Sequence, residues 1–145
     1  MKQVPVYFSL GSNQGDRRAR IDEALRRLDA AVGSPHEACS SVIETEAWGF
    51  EGADFLNCVV RYRTARQPHT LLRICKRIER EMGRRDAPEY DAAGRRVYHD
   101  RPIDIDILLY GDRRVDTPDL KIPHPLMHER DFILRPLSEI LLRND

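Results

Sequence analysis

The chain has no excess of either charge. Its 145 residues carry 24 lysines and arginines against 24 aspartates and glutamates, a formal net charge of zero. Proteins held mainly by nucleic-acid phosphates usually carry a basic surplus, so no nucleic-acid role is expected. No apolar run approaches the length of a membrane span. Residues 1–13 reach a Gly-Ser-Asn turn too soon for the apolar region and cleavage site of a signal peptide. A cytoplasmic protein without membrane contact is the expectation. Cysteine is scarce: Cys39, Cys58 and Cys75 form no CxxC pair, and an odd number cannot all pair within one chain. Each lies in an apolar stretch, so buried free thiols in a reducing compartment are expected. There is no internal repeat, low-complexity tract or linker, and neither GxxxxGK[ST] nor GxGxxG occurs. What is present fits a single domain, residues 1–145, with an ordinary soluble composition of 41% hydrophobic and 33% charged residues. A chain of this length buries roughly 70% of the surface its unfolded form exposes, enough for an independent core.

Hydrophobic periodicity divides the chain into elements. Val4, Val6, Phe8 and Leu10 alternate as on a strand, which Gly11-Ser12-Asn13-Gln14-Gly15 breaks. Asp16 then caps a helix with the stripe Ile21, Ala24, Leu25, Leu28 and Val32, ended by Gly33. A second strand is expected at Ser41–Thr45, an irregular loop at Glu46–Asp54, and a third strand at Phe55–Thr64. On that strand Leu56, Cys58, Val60 and Tyr62 share one face, and Phe55, Asn57 and Val59 the other. Pro68 suits the first turn of a second helix with the stripe Leu71, Cys75, Ile78 and Met82, closed by Gly83. From Arg84 to Asp100 the pattern dissolves into charges, a length of loop that commonly serves as a lid. Ile103–Tyr110 is a last strand, stopped by Gly111-Asp112. The order strand, helix, strand, strand, helix, strand predicts an α+β fold: a ferredoxin-like βαββαβ sandwich, with one antiparallel sheet and both main helices on one face. Arg113–Asp145, with four prolines, reads as an irregular C-terminal extension with short elements.

The chemistry concentrates on Asp104-Ile105-Asp106. Residues two apart on a strand point the same way, so both carboxylates share one face while Ile103, Ile105 and Ile107 turn to the core. Like charges this close resist joint ionisation unless a cation neutralises them. Hard oxygen donors without a nearby histidine or cysteine ligand suit Mg2+ completed by water and substrate phosphates. A bare DxD is equally well a solvated polar face, so context decides. The context is basic, with Arg84, Arg85, Arg95, Arg96 and Arg101 upstream and His124, His128 and Arg130 downstream. Metal plus fixed cations is what phosphoryl transfer requires of a protein, although any one of these arginines alone would read as surface. Phe55 beside Asn57 is an odd pair for a core; a flat heterocycle can stack on the ring while the carboxamide reads its edge. Trp48 reads as a loop anchor or a lid. His124 and His128 have four-residue spacing but lack the glutamate of HExxH, which weakens a zinc reading.

Together these segments resemble 6-hydroxymethyl-7,8-dihydropterin pyrophosphokinases of folate biosynthesis. The resemblance runs from Leu10-Gly11-Ser12-Asn13 to Pro136-Leu137. It is most specific at Arg101-Pro102-Ile103-Asp104-Ile105-Asp106-Ile107-Leu108-Leu109-Tyr110-Gly111 and at the segment 122–132, and is supported in order by Phe55-Leu56-Asn57 and Ile78–Arg84. It implies transfer of pyrophosphate from ATP, as co-substrate, to the pterin's hydroxymethyl group, with release of AMP by a Mg-dependent diphosphotransferase. Asp104 and Asp106 would hold two Mg2+ ions and, with Arg84 and Arg101, form the catalytic set. Thr45, Trp48, Phe55, Asn57 and Phe132 would bind the pterin. Glu79, Arg84, Arg101, Ile107, His124 and Arg130 would serve ATP. The loops 46–54 and 84–100 would close over the substrates. The expected partners are these two small molecules, and the expected state is a monomer. Lys76, Asp119, Lys121 and Pro125 stand where some members carry other groups that touch ATP, and Tyr98 replaces a tryptophan.

Three other readings remain open on the residues alone. A metal-dependent nucleotidyl transferase would release pyrophosphate instead of AMP. An RNA-binding module would use Phe55 as a stacking platform, but its binding face would carry two aspartates. A ferredoxin-like regulatory domain leaves the carboxylate pair unexplained.

Overall fold

The computed structural model describes residues 2–46, 54–83, 89–90, 92–94, 96–97, 102–125, 127 and 130–142. The centre of the main sheet is β1 (Val4–Ser12), hydrogen-bonded antiparallel to β4 (Phe55–Thr64) on one side and to β7 (Asp104–Tyr110) on the other. Beyond β4 lie two short strands, β2 (Ala38–Cys39) and β3 (Ile43–Thr45), both antiparallel to it. The fold is α+β with antiparallel sheets, and the path across the main sheet is β2–β4–β1–β7, with β3 also on β4.

Two helices cover one face. In α1 (Arg17–Val32) the Asp16 carboxylate accepts the Ala19 N–H at 3.1 Å, and Gly33 ends the helix with φ 91°, a left-handed turn that suits glycine. In α2 (Pro68–Glu81) the proline occupies the first turn, where a missing N–H costs nothing. Ile21, Ala24 and Leu28 of α1 and Leu71, Cys75 and Ile78 of α2 bury against Val6, Phe8, Leu10, Cys58, Val60, Tyr62, Ile105 and Ile107 of the sheet. Each large apolar side chain buried there contributes about 1.5–3 kcal/mol.

Several local expectations needed correction. The first strand does not break at Gly11, because Gly11 and Ser12 are paired with Asn57 and Leu56 on β4, and Gly11 also with Asp104 on β7. The second strand is shorter than 41–45, starting only at Ile43, and a separate two-residue strand, β2, precedes it. Ser40 separates the two by bonding with its own side chain: its Oγ accepts the Val59 N–H at 2.8 Å and donates to the Ser41 carbonyl at 2.9 Å. Within the expected loop 84–100 there is a two-stranded antiparallel ladder, β5 (Glu89–Tyr90) with β6 (Arg96–Val97). The C-terminal third is less irregular than expected. β8 (Val115–Thr117) and β9 (Leu120–Ile122) pair as a hairpin, and α3 (Asp131–Ile140) follows, with Pro136 buried inside it.

α3 lies on the sheet face that α1 and α2 leave open. Its Ile133 and Leu137 form a second core with Tyr7, Val59, Leu108 and Met127. A bulge in β7 serves this arrangement. The register with β1 slips by one between Tyr7 and Phe8, so Tyr7 faces Leu109 while Phe8 faces Ile107. Leu108 keeps the face of Asp106 and joins the second core, Leu109 stays on that side beside Tyr7, and Tyr110 returns to the first core, where its hydroxyl donates to the Arg66 carbonyl at 2.7 Å. No described helix is long and apolar enough to cross a membrane.

Candidate active site

The candidate site lies on the face shared with α3, toward the end of the sheet where β1 finishes and β4 and β7 begin. There the register aligns Ile43, Asn57, Gly11 and Asp104 across four strands, with Thr45 beside Phe55 and Ser9 beside Asp106 in adjacent rows. Residues paired across a ladder point to one side. Thr45, Phe55, Asn57, Gly11, Asp104 and Asp106 thus share a face, while Ile103, Ile105 and Ile107 pack under the helices.

Gly11 belongs to this site although its residue type alone suggested only a turn. A Cβ at Gly11 would stand 2.7 Å from Asn57 Oδ1 and 3.5 Å from Phe55 Cδ1, so only glycine lets these side chains lie over the strand. Asn57 is 7% exposed, and its Nδ2 donates to Thr45 Oγ1 at 2.8 Å. That bond sets which way the carboxamide faces: oxygen toward Gly11, nitrogen toward Thr45. The signal for Gly11 was a glycine continuing an otherwise alternating strand.

Asp104 and Asp106 are half-buried on β7. From the opposite face Glu79, fully buried on α2, accepts the Ile105 N–H through Oε2 at 2.9 Å. Ile105 separates the two aspartates, so a buried carboxylate anchors the backbone that aims them. Lys76 Nζ lies 3.6 Å from the other Glu79 oxygen. Among the described residues no cluster of three or more His, Cys, Asp or Glu side chains is arranged to enclose a metal. Two carboxylates of hard oxygen suit an ion that keeps water and substrate oxygens in its shell, as Mg2+ does.

His124 and Arg130 lie in the segment that follows β9. The His124 N–H donates to the Leu108 carbonyl at 3.0 Å, tying the segment after β9 to the bulge in β7. Burial holds the His124 imidazole below its ordinary pKa, Arg130 adds to this, and Asp104 opposes it. His124 therefore lies within electrostatic reach of both Arg130 and Asp104, and its imidazole is neutral at neutral pH. The Arg130 guanidinium stands over the Phe132 ring, 5.5 Å from its centroid, at the start of α3. The Ile107 side chain is 4% exposed within the first core, so any ligand contact there falls to its backbone. On the β8–β9 hairpin Asp119 accepts from Thr117 at 2.8 Å and pairs with His69 at 3.1 Å, while Lys121 pairs with Asp116. Trp48, Arg84, Arg101 and His128 lie outside the described residues.

The profile of the 7,8-dihydro-6-hydroxymethylpterin-pyrophosphokinase family matches residues 7–142. The chain belongs to that family. A 2-amino-4-hydroxy-6-hydroxymethyldihydropteridine pyrophosphokinase of Porphyromonas gingivalis is 47% identical over 93% of this chain and 89% of its own length. The enzymes of the same name from Aquifex aeolicus and Bacillus subtilis are 43% and 37% identical, each over 93% of this chain and 79% and 77% of their own lengths. Longer proteins contain the same unit: a folate synthesis bifunctional protein of Arabidopsis thaliana is 39% identical over 97% of this chain but only 28% of itself. Membership makes the chain a pyrophosphokinase of folate biosynthesis. The rival readings as an RNA-binding module, a regulatory domain or a nucleotidyl transferase give way to it.

Proposed function

We propose that this pyrophosphokinase transfers the β,γ-pyrophosphate of ATP to the hydroxymethyl oxygen of 6-hydroxymethyl-7,8-dihydropterin and releases AMP, acting as a single-domain monomer. The observation that carries the reading is the placement of Asp104 and Asp106 on the same sheet face as Phe55, Asn57 and Thr45, with His124 in electrostatic reach of Asp104 and of Arg130. The strand path, with α1 and α2 crossing one face, supports a ferredoxin-like βαββαβ arrangement to which α3 is added on the other face. Among the described residues the exposed large hydrophobics are Leu141 and Leu142, which gives little apolar surface for a subunit interface.

In the reaction the hydroxymethyl oxygen attacks the β-phosphorus, an O–P bond forms, and the bond from that phosphorus to the α-phosphate oxygen breaks. The acceptor is a weak nucleophile, so catalysis rests on in-line positioning and on screening of phosphate charge. Phe55 and Phe132 would stack on the pterin, Asn57 and Thr45 would read its edge, and the Trp48 region would add backbone contacts. Arg84, Arg101 and Arg130 would fix phosphate oxygens with their planar forks, and His124 would contribute as a neutral ring. Ile107 would offer backbone groups to the nucleotide, and Glu79 would serve the same side by holding the strand. Asp104 and Asp106 would hold two Mg2+ ions, which when bound neutralise phosphate charge and favour ionisation of the hydroxyl. The loops 46–54 and 84–100 would exclude water once both substrates are in place.

The test is an assay with ATP, Mg2+ and the hydroxymethyl pterin, following the nucleotide product against a magnesium-free control. AMP should form one-for-one with pterin diphosphate and only with the metal. Replacing Asp106 with alanine should abolish turnover in a folded protein. Release of inorganic pyrophosphate in place of AMP, or full activity in D106A, would refute the assignment.

A further inference from the structure

Away from the candidate site, two of the three cysteines come together. β2 pairs Cys39 with Val60 of β4, and Cys58 lies two residues from Val60 on the same face. Cys39 and Cys58 are therefore diagonal neighbours across the β2–β4 ladder, at the edge of the sheet. Their accessibility differs sharply. Cys39 is exposed, contrary to what its apolar neighbourhood suggested, because β2 is a two-residue edge strand; Cys58 is 1% exposed directly behind it. The neighbouring Cys58 thiol brings the Cys39 thiol down to about 7, helped by the charges of His36 and Arg18 and opposed by burial and Asp22. The Cys39 sulfur beside it, together with burial, holds the Cys58 thiol well above its ordinary range. The outer sulfur is thus both the accessible one and the more acidic, and the inner one stays a thiol, the division of roles that a peroxide-reactive pair needs.

We propose that Cys39 and Cys58 form a peroxide-sensitive dithiol that closes to a disulfide joining β2 to β4. The Cys39 sulfur attacks one oxygen of a hydroperoxide, the O–O bond breaks, and the departing hydroxide takes a proton to become water (or alcohol). Cys39 is then a sulfenic acid, oxidised by two electrons. The Cys58 sulfur attacks it, an S–S bond forms as the S–O bond breaks, and the leaving hydroxide takes the Cys58 proton. Two thiols and one peroxide become one disulfide and two molecules of water. Diagonal neighbours in a ladder have Cα atoms about 7–8 Å apart and a disulfide holds them within about 6.8 Å, so closure draws the short β2 edge inward. Cys75, buried on α2 with its thiol pushed up by burial, is the internal control that should stay unreacted.

The test treats the folded full-length chain with a small molar excess of hydrogen peroxide at neutral pH, then maps thiols by mass spectrometry. The wild type should lose two hydrogens, yield a linked Cys39–Cys58 peptide and regain both thiols on treatment with a reductant. Before oxidation, Cys39 should alkylate about fivefold faster than an ordinary exposed thiol. C58A, folded by circular dichroism, should stop at a sulfenic acid on Cys39 that dimedone traps. Oxidation of Cys39 in the folded wild type with Cys58 left free, whether as a sulfinic acid or as a dimer between chains, overturns the proposal. That peptide map needs no variant to fold and does not depend on the transferase reaction.

Discussion

Gly11→Ala isolates the geometry on which the proposed pterin side of the site depends. Gly11 has no positive φ, so alanine brings no backbone strain there; the effect is steric. Its Cβ would stand 2.7 Å from Asn57 Oδ1, under the 3.0 Å that real Cβ contacts essentially never breach, so at least 0.3 Å of movement is forced. Asn57 is buried and tied to Thr45 at 2.8 Å, which leaves it little room to yield. Overpacking of this kind costs about 1–3 kcal/mol, and a lost Asn57–Thr45 bond adds about 1 kcal/mol. If about two thirds of that falls on the bound complex, kcat/KM for the pterin should drop about 10–100-fold, with the KM for ATP unchanged. Steady-state kinetics with each substrate varied, beside a thermal melt, separate the two effects. A double-mutant cycle decides the cause: in an N57A background the alanine at position 11 meets no carboxamide, so most of its cost should vanish. An equal cost with and without Asn57, or a wild-type pterin KM in G11A, would refute the reasoning.

Three further outcomes are expected. E79A strips the Ile105 N–H of its buried acceptor and should destabilise the fold by about 1–3 kcal/mol while lowering kcat, whereas E79Q keeps an acceptor and should lose clearly less; equal losses on denaturant melts would contradict the anchoring role. Burial lowers the His124 pKa, so between the unfolded value of about 6.5 and the lower folded value the unfolded chain binds the extra proton, and stability falls as pH falls through that window. H124Q should therefore lose less stability than wild type between about pH 7 and pH 5, and an identical slope for the two proteins counts against it. D16A removes the carboxylate that accepts the Ala19 N–H and should cost about 1 kcal/mol of stability without altering kcat; a changed kcat would place α1 closer to the chemistry than the fold does.

Much of this protein is legible in local pattern. The bounds of β4 follow from its alternation, the two long helices from their stripes and from Asp16, Gly33 and Pro68, and the common face of Asp104 and Asp106 from their two-residue spacing. Period and capping are properties of a few neighbouring residues, so the chain states them directly. Trp48, Arg84 and Arg101 rest on family resemblance and on the proposal built from it. What only the tertiary structure decided is a set of pairings. Gly11 enters the site because β4 and β7 flank it; Tyr110 changes faces because a bulge inserts Leu108; Cys39 is exposed because its strand lies at an edge; and α3 takes the open face because Tyr7, Val59 and Leu108 leave an apolar surface there. Each depends on which distant segment lies alongside, a free energy of packing between residues far apart in the chain. No window of local sequence contains that term.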